Sequence, residues 1–72
     1  MYIIEMIRYG TQVAKVLSRS KNPWDPVHVV GAPGFNRDFP NVPIAVQTLK
    51  NAGYRSSRRY EVKDDEVTYD DD

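Results

Sequence analysis

The sequence predicts a small α+β domain: an antiparallel sheet with one α-helix packed on one face, in the order β-β-(β)-α-β. Three observations carry this. Two short runs rich in Ile, Val and Tyr flank a Gly-Thr pair, one segment places apolar residues at helical spacing, and a short alternating run follows it. At 72 residues the chain holds one hydrophobic core and no second domain.

The opening run YIIEMIRY (Tyr2 to Tyr9) has strand composition, and so does QVAKVLSR (Gln12 to Arg19). Between them, Gly10-Thr11 suits a two-residue type II′ turn, whose first central residue needs positive φ. Residues 2–19 therefore read as a β-hairpin. The segment that follows, SKNPWDPVHVVGAPGFNRDFPN, holds four of the five prolines. Pro23 and Pro26 bracket Trp24-Asp25 and argue against ladder pairing there. Val27 to Val30 is long enough for a short third strand, and GAPGFN (Gly31 to Asn36) is turn chemistry.

NVPIAVQTLKNAGY holds the helix, expected over 41 to 52. Asn41 suits the N-cap and Pro43 the first turn, where a missing N–H costs little. Val42, Ala45, Val46, Leu49 and Ala52 form one apolar stripe. Gly53 supplies the left-handed position after the last turn, followed by the apolar Tyr54. In RSSRRYEVK (Arg55 to Lys63), Tyr60 and Val62 alternate with Arg59, Glu61 and Lys63, which predicts a half-buried strand at a sheet edge.

The hairpin has two faces for one helix to choose between. With a Gly10-Thr11 loop, Tyr9 opposes Gln12, and opposed residues share a face. One face then carries Ile3, Glu5, Ile7 and Tyr9 with Gln12, Ala14, Val16 and Ser18. The other carries Tyr2, Ile4, Met6 and Arg8 with Val13, Lys15, Leu17 and Arg19. The first has one charge and the second three, so the first is assigned to the core. The second becomes a candidate docking surface with an apolar centre and a basic rim. Its expected contact residues are Tyr2, Met6, Arg8, Lys15, Leu17 and Arg19, with Trp24 from the adjoining loop. The competing expectation is that the proline-rich segment folds back and lays Trp24 or Phe35 over Met6 and Leu17.

Charge is segregated along the chain. Residues 1–63 hold all ten basic side chains and four acids, Glu5, Asp25, Asp38 and Glu61, a balance of +6; residues 64–72, DDEVTYDDD, hold six acids. The expected organisation is a domain over 1–63 followed by an acidic tail over 64–72, free in solution, folded back on the basic body or set in a partner's basic groove. Arg55, Arg58 and Arg59 are candidate phosphate contacts for the alternative of a nucleic-acid-binding domain moderated by that tail.

Signals for chemistry are weak. His28, the only histidine, lies among valines and reads as a strand histidine rather than a catalytic base. Ser18, Ser20, Ser56 and Ser57 have no evident base partner. Gly31-Ala32-Pro33-Gly34 matches the GXXG pattern but lacks the helix-flanked, basic context of a phosphate-clamping loop, and reads as a turn. Asp64, Asp65 and Glu66 are consecutive and make a poor cation cage. No cysteine provides a disulfide, a thiolate ligand or a thiol nucleophile. No apolar run approaches the roughly 18 residues needed to cross a bilayer, and no secretory leader pattern opens the chain. The expectation is a cytoplasmic, non-enzymatic protein without cofactor or metal. In size and style it is similar to small accessory proteins of phages and mobile elements, which often act by occupying a host protein's surface, as an inhibitor would. Three functions stand open at this point: a protein-binding module of that kind, a nucleic-acid binder, and a subunit that self-associates through the hairpin face.

Overall fold

The computed structural model describes residues 1–63 and 66–69. It has the α+β architecture expected. The strands are β1 (Tyr2–Arg8), β2 (Gln12–Ser18), β3 (Val27–Val30), β4 (Asp38–Phe39), β5 (Arg55–Lys63) and β6 (Glu66–Tyr69), with the helix α1 (Val42–Asn51) between β4 and β5. Among the described residues they form one sheet in the order β4-β3-β2-β1-β5-β6, antiparallel at every pairing. The helix lies over β2, β3 and β4.

The helix forms where local chemistry predicts it. Asn41 Oδ1 accepts the Ile44 N–H at 2.9 Å, and Pro43 sits in the first turn. At the other end Gly53 takes φ +99°, so that its N–H reaches Lys50 O and the Tyr54 N–H reaches Leu49 O, each at 3.0 Å. This double closure is a Schellman motif, which satisfies two carbonyls that the helix itself leaves open. Ala45 and Leu49 are fully buried, and Val42, Val46 and Ala52 pack beside them. Beneath them lie Ile4 and Met6 of β1, Ala14 and Val16 of β2, Val27 and Val29 of β3, and Phe39 of β4. Each fully buried Leu, Met or Val contributes about 1.5–3 kcal/mol by leaving water.

The hairpin is present, but its register differs by one residue from the expected one. Arg8 opposes Gln12 and Met6 opposes Ala14. The reversal uses three residues because Tyr9 as well as Gly10 adopts positive φ, 56° and 73°, and the Thr11 N–H closes on Arg8 O at 3.3 Å. A one-residue slip exchanges the faces of one strand against the other. Tyr2, Ile4 and Met6 therefore join Ala14 and Val16 under the helix, while Ile3, Glu5 and Ile7 join Val13, Lys15 and Leu17 on the opposite side. The physical gain is clear: this register leaves Arg8 as the one charge on the helix side of the hairpin and sets Glu5 directly opposite Lys15.

Strand β5 is internal rather than at an edge, because β6 pairs along it from Tyr60↔Tyr69 to Lys63↔Glu66. Part of the segment expected as an acidic tail thus continues the sheet; Asp64, Asp65 and residues 70–72 lie outside the described residues. Against β1, strand β5 carries one extra residue between Glu5↔Arg58 and Met6↔Ser56. The bulge at Ser57 turns Arg55, Arg58 and Tyr60 to the side away from the helix and leaves Arg59 and Glu61 on the helix side. The loop after β2 does not cover either face with its tryptophan: Pro23 O accepts the Val42 N–H at 2.9 Å, and Trp24 is 68% exposed. Phe35, by contrast, packs against the core, and the Gly31–Gly34 segment is a turn closed by Phe35 N–H on Ala32 O at 2.8 Å.

Candidate protein-docking face

The side of the sheet opposite the helix is built by the register just described. Across its centre runs the row Lys15–Glu5–Arg58, one residue from each of β2, β1 and β5. The neighbouring row holds His28, Leu17, Ile3 and Tyr60, and the row beyond holds Val13, Ile7 and Arg55. Val30 extends the central row on β3. Ile7, Leu17 and Val30 are half-buried and Val13 is 40% exposed, so apolar area remains on a face that α1 does not touch.

Glu5 is the anchor of this face. It is only 8% exposed, yet both carboxylate oxygens are satisfied: Tyr60 Oη donates to Oε2 at 2.7 Å and Arg58 Nε to Oε1 at 3.1 Å. Burial pushes the Glu5 carboxyl up, but the Tyr60 hydroxyl, the Arg58 guanidinium and the charge of Lys15 together hold it below the usual glutamate range. A charged, doubly bonded carboxylate is suited to holding side chains in place rather than to moving a proton. The Arg58 guanidinium lies 5.5 Å from the Tyr60 ring, so the three side chains form one rigid cluster.

At the β3–β4 corner the face dips into a recess of about 440 Å³ lined by Leu17, Arg19, Asp25, Pro26, Val27, His28 and Asp38. His28 Nδ1 and Asp38 Oδ1 lie 2.6 Å apart on its wall, both well exposed. Asp25 is held by the Ser20 hydroxyl, and the Trp24 N–H binds Asn22 Oδ1 at 3.0 Å, which fixes the loop beside it.

The residues expected at a docking surface divide between the two sides. Lys15 and Leu17 lie on the open face, and Arg19 lines its corner recess. Met6 does not belong there: it is 0% exposed beneath the helix. Tyr2 is also on the helix side, half-buried at a second recess of about 230 Å³ with Ile4, Ser20, Lys21, Pro23, Val42 and Arg59. Arg8 serves the helix terminus, with Nη1 donating to Ala52 O at 2.9 Å and the guanidinium 4.5 Å over the Tyr54 ring. Trp24 is exposed on the loop. The three candidate phosphate contacts are split, with Arg55 and Arg58 on the open face and Arg59 on the other.

Sequence reasoning missed Ile3, Glu5, Ile7 and Tyr60 as members of this face. One signal could have found the first three. Of the two registers, only the one observed pairs Glu5 with Lys15; the other sets Glu5 against Val16. Among the described residues no group of three His, Asp or Glu side chains is placed to hold a metal ion, and no helix is long and apolar enough to cross a membrane. No protein-family model, curated protein or solved structure matches the chain, so the functional reading rests on geometry.

Proposed function

We propose that this chain is a non-enzymatic protein-binding module that docks through the open face of its sheet. One observation carries the reading: Ile7, Val13, Leu17 and Val30 keep apolar area exposed around a rigid charged cluster, on a side where no helix lies. Interfaces draw affinity from such desolvated apolar centres and orientation from fixed charges around them. Lys15, Arg55 and Arg58 supply the charges, and the corner recess beside Leu17 and Arg19 offers a pocket for one projecting side chain. A role as an inhibitor that occupies another protein's surface is one use of such a module. A cytoplasmic setting belongs to the same proposal.

The test uses two substitutions that the fold separates. Leu17→Asp on the open face leaves a folded domain, whereas Met6→Asp beneath the helix unfolds it, as circular dichroism will report. Immobilised wild-type protein and Leu17→Asp are then compared in affinity capture from lysate with and without nuclease. A protein retained by wild type and lost from folded Leu17→Asp supports the reading. Identical retention by both proteins, or captured material that disappears on nuclease treatment, overturns it.

A further inference from the structure

We infer that the chain carries a second docking site, on the helix side at the Trp24 loop, and that its partner is an acidic, apolar peptide. One aliphatic or aromatic side chain of that peptide fills the recess beside Pro23, and a neighbouring carboxylate meets Arg59. The site shares no residue with the open face and stands apart from the docking reading above. The recess exists because α1 is set to one side: the helix lies over β2, β3 and β4. On the helix side of β1 and β5, Tyr2 opposes Glu61 and Ile4 opposes Arg59. Between these residues and Val42 in the first turn of the helix opens the recess of about 230 Å³. Ile4 is buried and forms only its floor; the accessible apolar surface comes from the half-buried Tyr2 and Val42 and the exposed Pro23. Sites for drug-sized ligands span roughly 300–1,000 Å³, so this smaller hollow suits a single side chain.

Two cations line the hollow. Lys21 reaches Glu61 only at 3.7 Å, with its side chain 67% exposed. Arg59 is exposed and, among the described residues, makes no hydrogen bond or ion pair. A free guanidinium beside an apolar hollow fits a carboxylate, which it can hold through two parallel hydrogen bonds. A nucleic acid fits less well. Glu61 stands next to Lys21 and repels phosphate, and a base edge pressed onto Tyr2, Val42 and Pro23 loses its water without gaining a partner.

The loop that borders the recess is braced by its own hydrogen bonds. Ser20 Oγ donates to Asp25 Oδ2 at 2.5 Å and accepts the Asn22 N–H at 3.2 Å. Asn22 Oδ1 accepts the Trp24 N–H at 3.0 Å, and Asn22 O accepts the Asp25 N–H at 3.2 Å. Pro23 O ties the loop to the helix through the Val42 N–H at 2.9 Å. On this braced loop Trp24 leaves 68% of its surface in water. An indole presented by a pre-organised loop loses little freedom on binding, as the aromatic anchors of interfaces do. A small free acid would fill the recess and leave Trp24 unused, whereas a peptide is long enough to use both. One side chain, one ion pair and one indole make a weak contact, with Kd on the order of 0.1–1 mM.

The experiment is an NMR titration of the isotope-labelled full chain with the peptide acetyl-Ser-Asp-Leu-Asp-Ser-amide, up to roughly 5 mM. The expected result is saturable shifts at the Trp24 indole N–H and at the amides of Lys21, Val42 and Arg59, with none at Val13 or Leu17. Arg59→Gln and Trp24→Ala should each weaken binding at least about fivefold, and Leu17→Asp should leave it unchanged. A second measurement does not depend on how the protein variants fold: replacing the peptide's Leu by Ala, or both its Asp by Asn, should weaken binding at least about fivefold as well. No shifts through the range, or equal binding of the Asn peptide, overturns the site. So does 4-methylpentanoate binding as tightly as the peptide, which would make the recess a pocket for small acids. Oligothymidine binding there more tightly than the peptide overturns it in favour of nucleic acid. Because Leu17→Asp tests the open face and Arg59→Gln tests this site, either reading can fail while the other stands.

Discussion

Arg8→Met separates a structural role from a docking role, since Arg8 lies at the hairpin end yet touches the helix. In the folded chain its Nη1 donates to the carbonyl of Ala52, the C-cap residue, at 2.9 Å, its Nε donates to Gln12 Oε1 at 2.9 Å, and its guanidinium stacks 4.5 Å above Tyr54. A hydrogen bond from a charged donor contributes about 1.5–3 kcal/mol, and a stacked cation over a buried ring about 1 kcal/mol. These overlap, because one guanidinium makes both and the side chain is only half-buried, so the joint loss is roughly 2–3 kcal/mol. Methionine keeps the apolar stem, which restricts the loss to the head group. At about 4–8 °C per kcal/mol for a domain of this size, Tm should fall by roughly 10–20 °C. Thermal circular dichroism measures the shift, and hydrogen exchange at the Gly53 and Tyr54 amides reports whether the helix end frays. Arg8→Lys keeps the charge but not the planar stack, and should fall between. If Arg8→Met melts with wild type and those two amides keep their protection, the capping role assigned to Arg8 is wrong.

Two further outcomes follow from the same geometry. Tyr9 is 80% exposed and holds φ 56°, a region that costs a bulky side chain about 1–2 kcal/mol, so Tyr9→Asn should raise Tm by several degrees; a lower Tm would show that the tip is not strained. Glu5 makes stability acid-sensitive. Its folded carboxyl titrates below the ordinary value of about 4.3, so its contribution is complete above that pH and is lost as pH falls through the lowered value. Urea denaturation of Glu5→Gln should show lower stability than wild type at neutral pH and a flatter decline towards pH 3; an equally steep decline would place the acid sensitivity elsewhere.

What could be read from the residues depended on how local the determining chemistry was. The helix was legible because Asn41, Pro43 and Gly53 act within one turn of where they stand, and the apolar stripe needs no knowledge of what it covers. The hairpin was legible as an object but not in register. Glycine is the residue expected at positive φ, and nothing in Tyr9 announces that it shares that conformation. The slip moved Met6 from a proposed contact to the core and brought Glu5 to the centre of the open side. The split of Arg55 and Arg58 from Arg59 depends on the bulge at Ser57, which has meaning only once β5 lies against β1. Strand β4 is two residues long and exists through its pairing with β3. In β6 the acids concealed an alternation of Glu66 and Thr68 with Val67 and Tyr69.

The place of β1 between β2 and β5 sets an order of events during synthesis. Glu5 leaves the ribosome early, but the side chains that donate hydrogen bonds to its carboxylate stand 53 and 55 positions further on. Until they emerge, YIIEMIR has one side zipped to its hairpin mate and the other bare, an adhesive edge beside a carboxylate that has Lys15 opposite it but neither of its two hydrogen-bond donors. Its closure brings together residues far apart in the chain, a slow step that cannot precede translation of β5. Nascent chains halted before Arg55 should consequently be clients of holding chaperones, whereas chains released a few codons past Lys63 should escape them.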